Sequence, residues 1–495
     1  MPRRLLGLFA ILLFGLHLPD LQLPYFWDEA GYFIPAALDL FATGDPIPSS
    51  VIPIPHPPLM MAVLALVWRV AGVSLLATRV TMLGWALAAS CGAYQLGRRA
   101  GGGRAAWMSA VCLALYPVFF AQSSLAQLDL PAAALTTWAL VFYWDRRLVA
   151  LCLALSMAVL TKESAVVCAV TLAAVELLWP SSGRRSWHCV AALLAPVLLL
   201  GLWFAYVYAR TGHALGTPEF VRFNLGIATY TPSRLLAAVA LRLWHGAGHM
   251  FLFALTLPAA ALLVASQPVR RRLCAPESRL LHVLMLCVAA YAAAFSMAGG
   301  ALLARYMLTA VTFVVVISTS VLAAVSWGPA LAMVSLGAFG AGLVVSPAYH
   351  CAYDDTLLYR PFIVLHQQAA AYLETLGEPV ITTWPASDEL LRPALGYVSR
   401  RNAVVVLQDF SVGSLRVARS QCGSCPIFYF PTQYEPEDSW LRPGRLLRRL
   451  RFWRSAHQQF ETRPSLLSPQ DLAKAVDGRI VWERHIGGQF AVVIR

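Results

Sequence analysis

A few ionisable side chains set among apolar runs are the candidates for chemistry in this chain. Asp28 and Glu29 stand in PYFWDEAGY, Asp129 in SLAQLDLP, and Lys162-Glu163 in AVLTKES. Arg79 lies near the start of a long apolar run, Arg305-Tyr306 follows GGALLA, and His56 heads His56-Pro57-Pro58-Leu59. A carboxylate can orient a hydroxyl nucleophile and take its proton. A cation can hold a phosphate and neutralise it as it leaves. Lys162 is one of only two lysines, the other being Lys474. A lysine between apolar runs either snorkels to a polar boundary or faces water or an anion, and its scarcity here favours the second. Cations at membrane level suggest a lipid phosphate, so the set fits transfer of a group from a lipid phosphate to a hydroxyl. His245 and His249 in HGAGH are four apart, on one side of a helix. They are either two interfacial histidines or, with His56 or Glu29, ligands of a divalent ion.

These residues must be positioned by membrane-spanning helices. Of the 495 residues 59% are apolar and 13% charged, where soluble domains run at about 25% charged. The charge is uneven. Residues 1–349 hold 21 basic and 11 acidic groups, and the 146 residues 350–495 hold 17 and 14. The division predicts an all-α polytopic membrane domain over 1–349 and an extracytoplasmic α/β domain over 350–495. The opening LLGLFAILLFGLHL is followed by no small-residue cleavage site and reads as an uncleaved first helix. Ten further runs fall near 76–97, 105–122, 131–144, 148–161, 164–180, 187–209, 247–266, 280–298, 306–326 and 329–348, giving about eleven spans.

Clusters at Arg3/Arg4, Arg98/Arg99/Arg104, Arg146/Arg147, Arg184/Arg185 and Arg270/Arg271/Arg272 mark five loops. With eleven spans all five fall on the cytoplasmic side, provided that 59–73 lies along the membrane surface. The net charge of +13 thus reflects orientation signals and not nucleic-acid binding. Segments 19–75, 123–130, 210–246 and everything after 349 then face outward, with 30–42 an amphipathic interfacial helix. The bias to Arg over Lys and the high Ala content suggest a GC-rich bacterial genome, and with it a bacterial inner membrane.

In the tail, EPVITTW and NAVVVLQDF read as strands and FIVLHQQAAAYLETL as a helix. The stretch 441–454 holds six Arg among Leu, Phe and Trp and suits either an anionic lipid surface or water. Cys422 and Cys425 outside the cytoplasm suit a structural disulfide more than redox catalysis.

The chain resembles the GT-C-fold glycosyltransferases that use lipid-phosphate sugars, of the protein O-mannosyltransferase and lipid A aminoarabinose transferase type. The resemblance runs through Asp28-Glu29 in DEAGY, Gly44-Asp45, His56-Pro57-Pro58-Leu59, Thr78-Arg79, LGRRAGGGRAA (96–106), Leu128-Asp129-Leu130-Pro131, Leu160-Thr161-Lys162 and Arg305-Tyr306. It covers roughly residues 20–310. It implies that the first outer loop roofs a cavity at the outer membrane face, that Asp28 activates the acceptor, and that transfer inverts the anomeric carbon. Glu29 and Asp129 would orient acceptor or sugar. His56, Arg79, Lys162, Glu163, Arg305 and Tyr306 would line the substrate site, with Lys162 and Arg305 on the phosphate. The chain departs from the resemblance at His56, where relatives usually carry Lys, at Gly31, where some carry Arg, and at Glu163, where Gly is frequent.

The expected partners are a polyprenyl-phosphate-linked sugar, an extracytoplasmic glycan, lipid or protein acceptor, and membrane lipids. No cofactor is required, and a divalent metal is the one candidate. A transporter or lipid flippase is the rival reading, but it would place charges at the bilayer midplane on broken helices. A catalytically dead relative serving as scaffold is the third.

Overall fold

The computed structural model describes residues 2–180, 185–218, 220–221, 231–275, 278–299, 302–345, 349, 351–432 and 467–495. Arg184 and the basic stretch 441–454 lie outside these residues. The chain divides into two units, Met1–Leu18 with Ala36–Val345, and Pro19–Pro35 with Ser346–Arg495. The second unit resumes at Ser346, where the sequence division is drawn at 350. Pro19–Pro35, expected to belong with 1–349, folds instead into the C-terminal unit.

The first unit is helical. In chain order it contains α1 (Arg3–Leu16), α2 (Ile34–Thr43, which begins in the second unit), α3 (Leu59–Ala71), α4 (Leu75–Leu115), α5 (Pro117–Gln122), α6 (Asp129–Trp144), α7 (Leu148–Thr161), α8 (Val166–Leu178) and α9 (Trp187–Thr211). Then follow α10 (Pro232–Ala247), α11 (Phe253–Ala265), α12 (Arg279–Ala298), α13 (Leu308–Leu322) and α14 (Gly328–Val344). Among the described residues, four helices are long and apolar enough to cross a membrane: α4, α9, α12, and α13 extended back to Ala304. The pair α10–α11, bent by 110°, makes a fifth if taken as one span. The sequence-based figure of eleven also counted helices such as α7 and α14, which fall among the shorter apolar helices of 10–17 residues. The 13-residue α3 rises only about 20 Å, short of the roughly 30 Å hydrocarbon core. It buries Met60, Leu64 and Trp68 along one stripe and exposes Leu66 and Val70.

Two sequence features decide where helices bend. At Gly102 the backbone takes φ 83° inside α4, splitting it into two arms; the expected run 105–122 divides between the second arm, which ends at Leu115, and α5. Between α10 and α11, Met250 and Phe251 take φ 46° and 65°. Part of the expected outer loop 210–246 is thus helical, as the N-terminal limb of a broken helix.

Helix α13 is buried on every side. The approach of α4 to it is close: Ser109 Oγ lies 2.7 Å from Thr319 Oγ1, and a Cβ at Gly101 would lie 3.1 Å from Ser320. Small residues at helix contacts are how membrane helices pack closely. In contrast, α9 buries one stripe through Leu193, Leu200, Trp203 and Val207 and leaves Leu198 and Leu202 about two-thirds exposed. Such a helix is stable only in an apolar solvent.

The second unit carries a five-stranded sheet of order β2-β1-β3-β5-β4, built from β1 (Val380–Thr383), β2 (Val404–Leu407), β3 (Ile427–Tyr429), β4 (Ile480–Ile486) and β5 (Gln489–Ile494). β1 pairs in parallel with β2 and β3, and β5 runs antiparallel to β3 and β4. The β4–β5 hairpin turns at Gly487-Gly488, both with positive φ, as a two-residue hairpin loop requires. The helices are α15 (Tyr359–Leu376), α16 (Ala386–Leu391), α17 (Val412–Cys422) and α18 (Pro469–Ala475). Cys422 and Cys425 are disulfide-bonded at the end of α17.

Gly102 is a backbone requirement, since nothing lies within 4 Å of a Cβ built there. Gly102→Ala is expected to destabilise the detergent-solubilised protein by about 1 kcal/mol. Gly103→Ala, at a neighbouring helical position with equal space, should leave the thermal midpoint unchanged or slightly raised.

Candidate active site

In the helical unit the sequence brings three separate elements to one carboxylate. Asp129 begins α6, where the helix N-terminus favours a negative charge. Lys162 follows the last residue of α7 with an extended backbone, φ −150° and ψ 127°, which turns its side chain back toward α6. Lys162 Nζ lies 2.5 Å from Asp129 Oδ1. Arg305, in the short 3-10 turn Ala304–Met307 before α13, places its Nε 3.6 Å from Asp129 Oδ2. All three are at most 6% exposed. Tyr306 completes the group, with Lys162 Nζ 4.2 Å from its ring centroid and the Arg305 guanidinium 5.7 Å from it.

These groups need one another. An unpaired charge in an apolar interior costs several kcal/mol, and contact with an opposite charge recovers much of it. The ring face of Tyr306 adds cation–π attraction.

Glu163 does not compete for Lys162. Its Oε2 sits 2.9 Å from His56 Nδ1, in a half-open position with 32% of its side chain exposed. Burial pushes the Glu163 carboxyl up, but the charge and hydrogen bond of His56, with Lys162 nearby, outweigh it and bring it down to about 2. His56 also meets Phe220 edge-on at 5.8 Å, and the carbonyl of Pro55 accepts the Trp203 indole N–H at 2.9 Å. The Pro-rich turn is thereby tied to α9.

Arg79 is buried in the second turn of α4 and donates to the Ser124 carbonyl at 2.8 Å, supporting the loop that leads to Asp129. The residue before it, Thr78, accepts the Trp68 indole N–H at 3.1 Å. One cation escaped the sequence reading. Arg242 on α10 is fully buried, donates to the Leu303 carbonyl at 2.9 Å and lies 5.4 Å from the Phe295 ring. Phe295 stacks on Tyr306 at 5.8 Å, so Lys162 and Arg242 flank a two-ring stack. The only sequence signal was an arginine in the apolar run LAAVALRLWHG.

The two histidines proposed as metal ligands are not on one helix face. α10 ends at Ala247 and His249 lies in the break after it. Their rings still meet at 5.2 Å. Among the described residues no group of three or more His, Cys, Asp or Glu side chains is arranged to hold a metal ion.

Asp28 and Glu29 belong to the second unit. Pro19–Pro35 is sewn into it by a forked pair between Asp20 and Arg360 at 2.6 and 2.7 Å. Tyr25 N–H donates to the Leu395 carbonyl at 3.2 Å, and its own carbonyl accepts from the Tyr397 hydroxyl at 3.1 Å. Phe26 packs edge-on against Phe362 at 5.4 Å. After it the chain makes a tight turn, Trp27 at φ 53° and a π-helical turn over Glu29–Phe33. A left-handed Trp costs about 1–2 kcal/mol, offset by its packing on Phe362 and Trp384.

Glu29 is fully buried and its Oε2 accepts the Phe26 N–H at 2.7 Å. The carboxylate closes this turn. Asp28 is half-buried. Tyr32 and Asp388 share its surroundings: burial, then the charges of Asp28 and Asp388, raise the Tyr32 phenol.

The stability of the helical cluster is testable. Asp129→Asn leaves Lys162 and Arg305 without their shared carboxylate and is expected to destabilise by about 3–5 kcal/mol. Glu163→Gln breaks a half-exposed pair and should cost far less. Because the Glu163 carboxyl is depressed, its contribution is present above its ordinary value of 4.5 and is lost as the pH falls toward 2. The gap in thermal midpoint between wild type and Glu163→Gln should therefore narrow as the pH falls from 7 to 3.

Residues 55–209 match the model of the dolichyl-phosphate-mannose-protein mannosyltransferase family. No curated protein matches the sequence. The solved structure of ArnT from Cupriavidus metallidurans in the apo state aligns over 85% of this chain and 92% of its own, at 16% identity and a TM-score of 0.53. ArnT bound to undecaprenyl phosphate aligns over 100% and 98%, at 15% identity and a TM-score of 0.56. The matched stretch 55–209 holds His56, Arg79, Asp129, Lys162 and Glu163, while Asp28 and Arg305 lie outside it. The protein is a multi-pass membrane protein with the GT-C fold of these glycosyltransferases.

Proposed function

We propose that the protein transfers a sugar from a polyprenyl-phosphate donor to a hydroxyl of an extracytoplasmic acceptor. It is a membrane glycosyltransferase of the GT-C fold, acting at the outer face of a bacterial inner membrane. The observation that carries this reading is the buried group in which Lys162 and Arg305 meet at Asp129 beside Tyr306. The match of 55–209 to a family named for dolichyl-phosphate-mannose and the fold shared with an undecaprenyl-phosphate-binding ArnT support the same donor class.

The chemistry follows from the charge balance. A polyprenyl-phosphate sugar is a phosphodiester with one negative charge. When the acceptor oxygen bonds to the anomeric carbon, the bond from that carbon to the phosphate oxygen breaks. Its electron pair stays with the phosphate, and polyprenyl phosphate leaves with a second negative charge. Lys162 and Arg305 stabilise this developing charge, and each such contact is worth on the order of 10²–10³ in rate. The acceptor's proton passes to Asp28. A carboxylate is a weak base for a hydroxyl and removes that proton late, once the new bond has made the oxygen acidic. Attack opposite the phosphate inverts the anomeric carbon. Asp129 holds Lys162 and Arg305 in place. His56, paired with Glu163, stands where a Lys is usual in the resembling sequences and supplies a hydrogen-bond donor to the sugar-phosphate.

The test is label transfer from undecaprenyl-phosphate-linked hexose and aminopentose donors by the full-length protein in liposomes. Asp28→Asn is expected to abolish transfer while expression and insertion stay normal; turnover near wild type would remove Asp28 from the mechanism. Lys162→Ala should weaken use of the donor more than use of the acceptor, and an unchanged donor KM would reject its phosphate role.

A further inference from the structure

Gly31 lies three residues after Asp28 and faces the indole of Trp384. A Cβ built at Gly31 would stand 2.7 Å from Trp384 Nε1 and 3.2 Å from its Cε2. Contacts under 3.0 Å force a neighbour to move, and this neighbour is held. The Trp384 ring meets Trp27 edge-on at 4.8 Å. Its indole N–H donates to the carboxylate of Asp388, on α16. That helix is itself fixed to α15, where His366 Nδ1–H donates to Glu389 Oε2 at 2.6 Å, both side chains buried. Trp384 thus touches the residue just before Asp28 and the residue three after it. Between those contacts run the strained Trp27 backbone and the π-helical turn that aim the Asp28 side chain.

We infer that Trp384 is a positioning residue for Asp28: the indole, wedged between Trp27 and Gly31 and held by Asp388, sets the direction of the Asp28 carboxylate. The inference rests on the reading of Asp28 as the group that receives the acceptor's proton. A misplacement of roughly 1 Å in such a group costs on the order of 10²-fold in rate, so losing the wedge should appear in kcat and spare donor binding.

The experiment is a double-mutant cycle in the full-length protein, using whichever undecaprenyl-phosphate sugar the wild type consumes and rates per folded protein. Trp384→Leu is expected to lower kcat by about tenfold or more with the donor KM changed less than about twofold. Gly31→Ala, which pushes on the indole from the other side, should do the same. In the double variant the alanine methyl occupies space the indole has left, so kcat should recover above both single variants. Should Trp384→Leu fail to fold, Trp384→Phe takes its place in the same cycle. Losses that multiply in the double variant, or a Trp384 variant with unaltered kcat, overturn the inference. Its failure is separable from that of the underlying reading. An active Asp28→Asn removes the catalytic role of Asp28, whereas an inactive Asp28→Asn beside a fully active Trp384→Leu removes the positioning role alone.

Discussion

One carboxylate governs the helical unit. Asp129 is buried, and two cations converge on it from different parts of the chain, one after α7 and one before α13. In an apolar surrounding none of the three can be left alone without a cost comparable to much of a domain's net stability. The constraint therefore fixes more than a local contact. It requires α6 to start, α7 to end and the Ala304–Met307 turn to pass at one level of the bundle. The extended backbone at Lys162 and the packing of Arg79 beneath the Ser124 carbonyl both serve that requirement.

The same constraint sorts the other charges by burial. Glu163 is adjacent in sequence to Lys162, yet the half-exposed carboxylate goes to His56 and the buried one to Lys162. This division leaves the lysine in a compact group with Arg305 and Tyr306. A lysine bridged by both carboxylates would have been neutralised. Lys162 and Arg305 thus stand together at one buried carboxylate.

Much of this was legible because charge is so rare in the first 349 residues. Asp129, Lys162 and Arg305 stood out as polar residues at the ends of apolar runs, and a membrane interior gives such residues few options but to meet. The tail strands 380–383 and 404–407 and the helix 359–376 were likewise visible in their periodicity. Pairing was not legible. Nothing in the order Lys162-Glu163 says which carboxylate takes the lysine, and nothing in DEAGY says that Glu29 folds back on Phe26 N–H. Arg242 was hidden because its segment reads as a loop until the bend at Met250–Phe251 shows it to be one limb of a broken helix. The hairpin 480–494 went unread although its strands are the longest in the sheet and Gly487-Gly488 marks its turn.

The least legible feature has the largest consequence for how the protein is built. Pro19–Pro35 lies between α1 and the rest of the helical unit in sequence, yet its aromatic residues are core residues of the C-terminal unit. Tyr25 and Phe26 are buried there to 2% exposure or less, on Leu395, Tyr397 and Phe362. Burying two such rings is worth several kcal/mol, at about 1.5–3 kcal/mol for a large apolar side chain. The chain thus passes between the two units three times, after Leu18, after Pro35 and after Val345. A tail that merely carried an acceptor-binding surface would need one connection and could be removed without touching Asp28. In this topology, removing it strips the Asp28 turn of Trp384, Phe362 and Leu395 together. The strained Trp27 backbone then has nothing to hold it, and the geometry of the carboxylate cannot survive on a seventeen-residue loop alone.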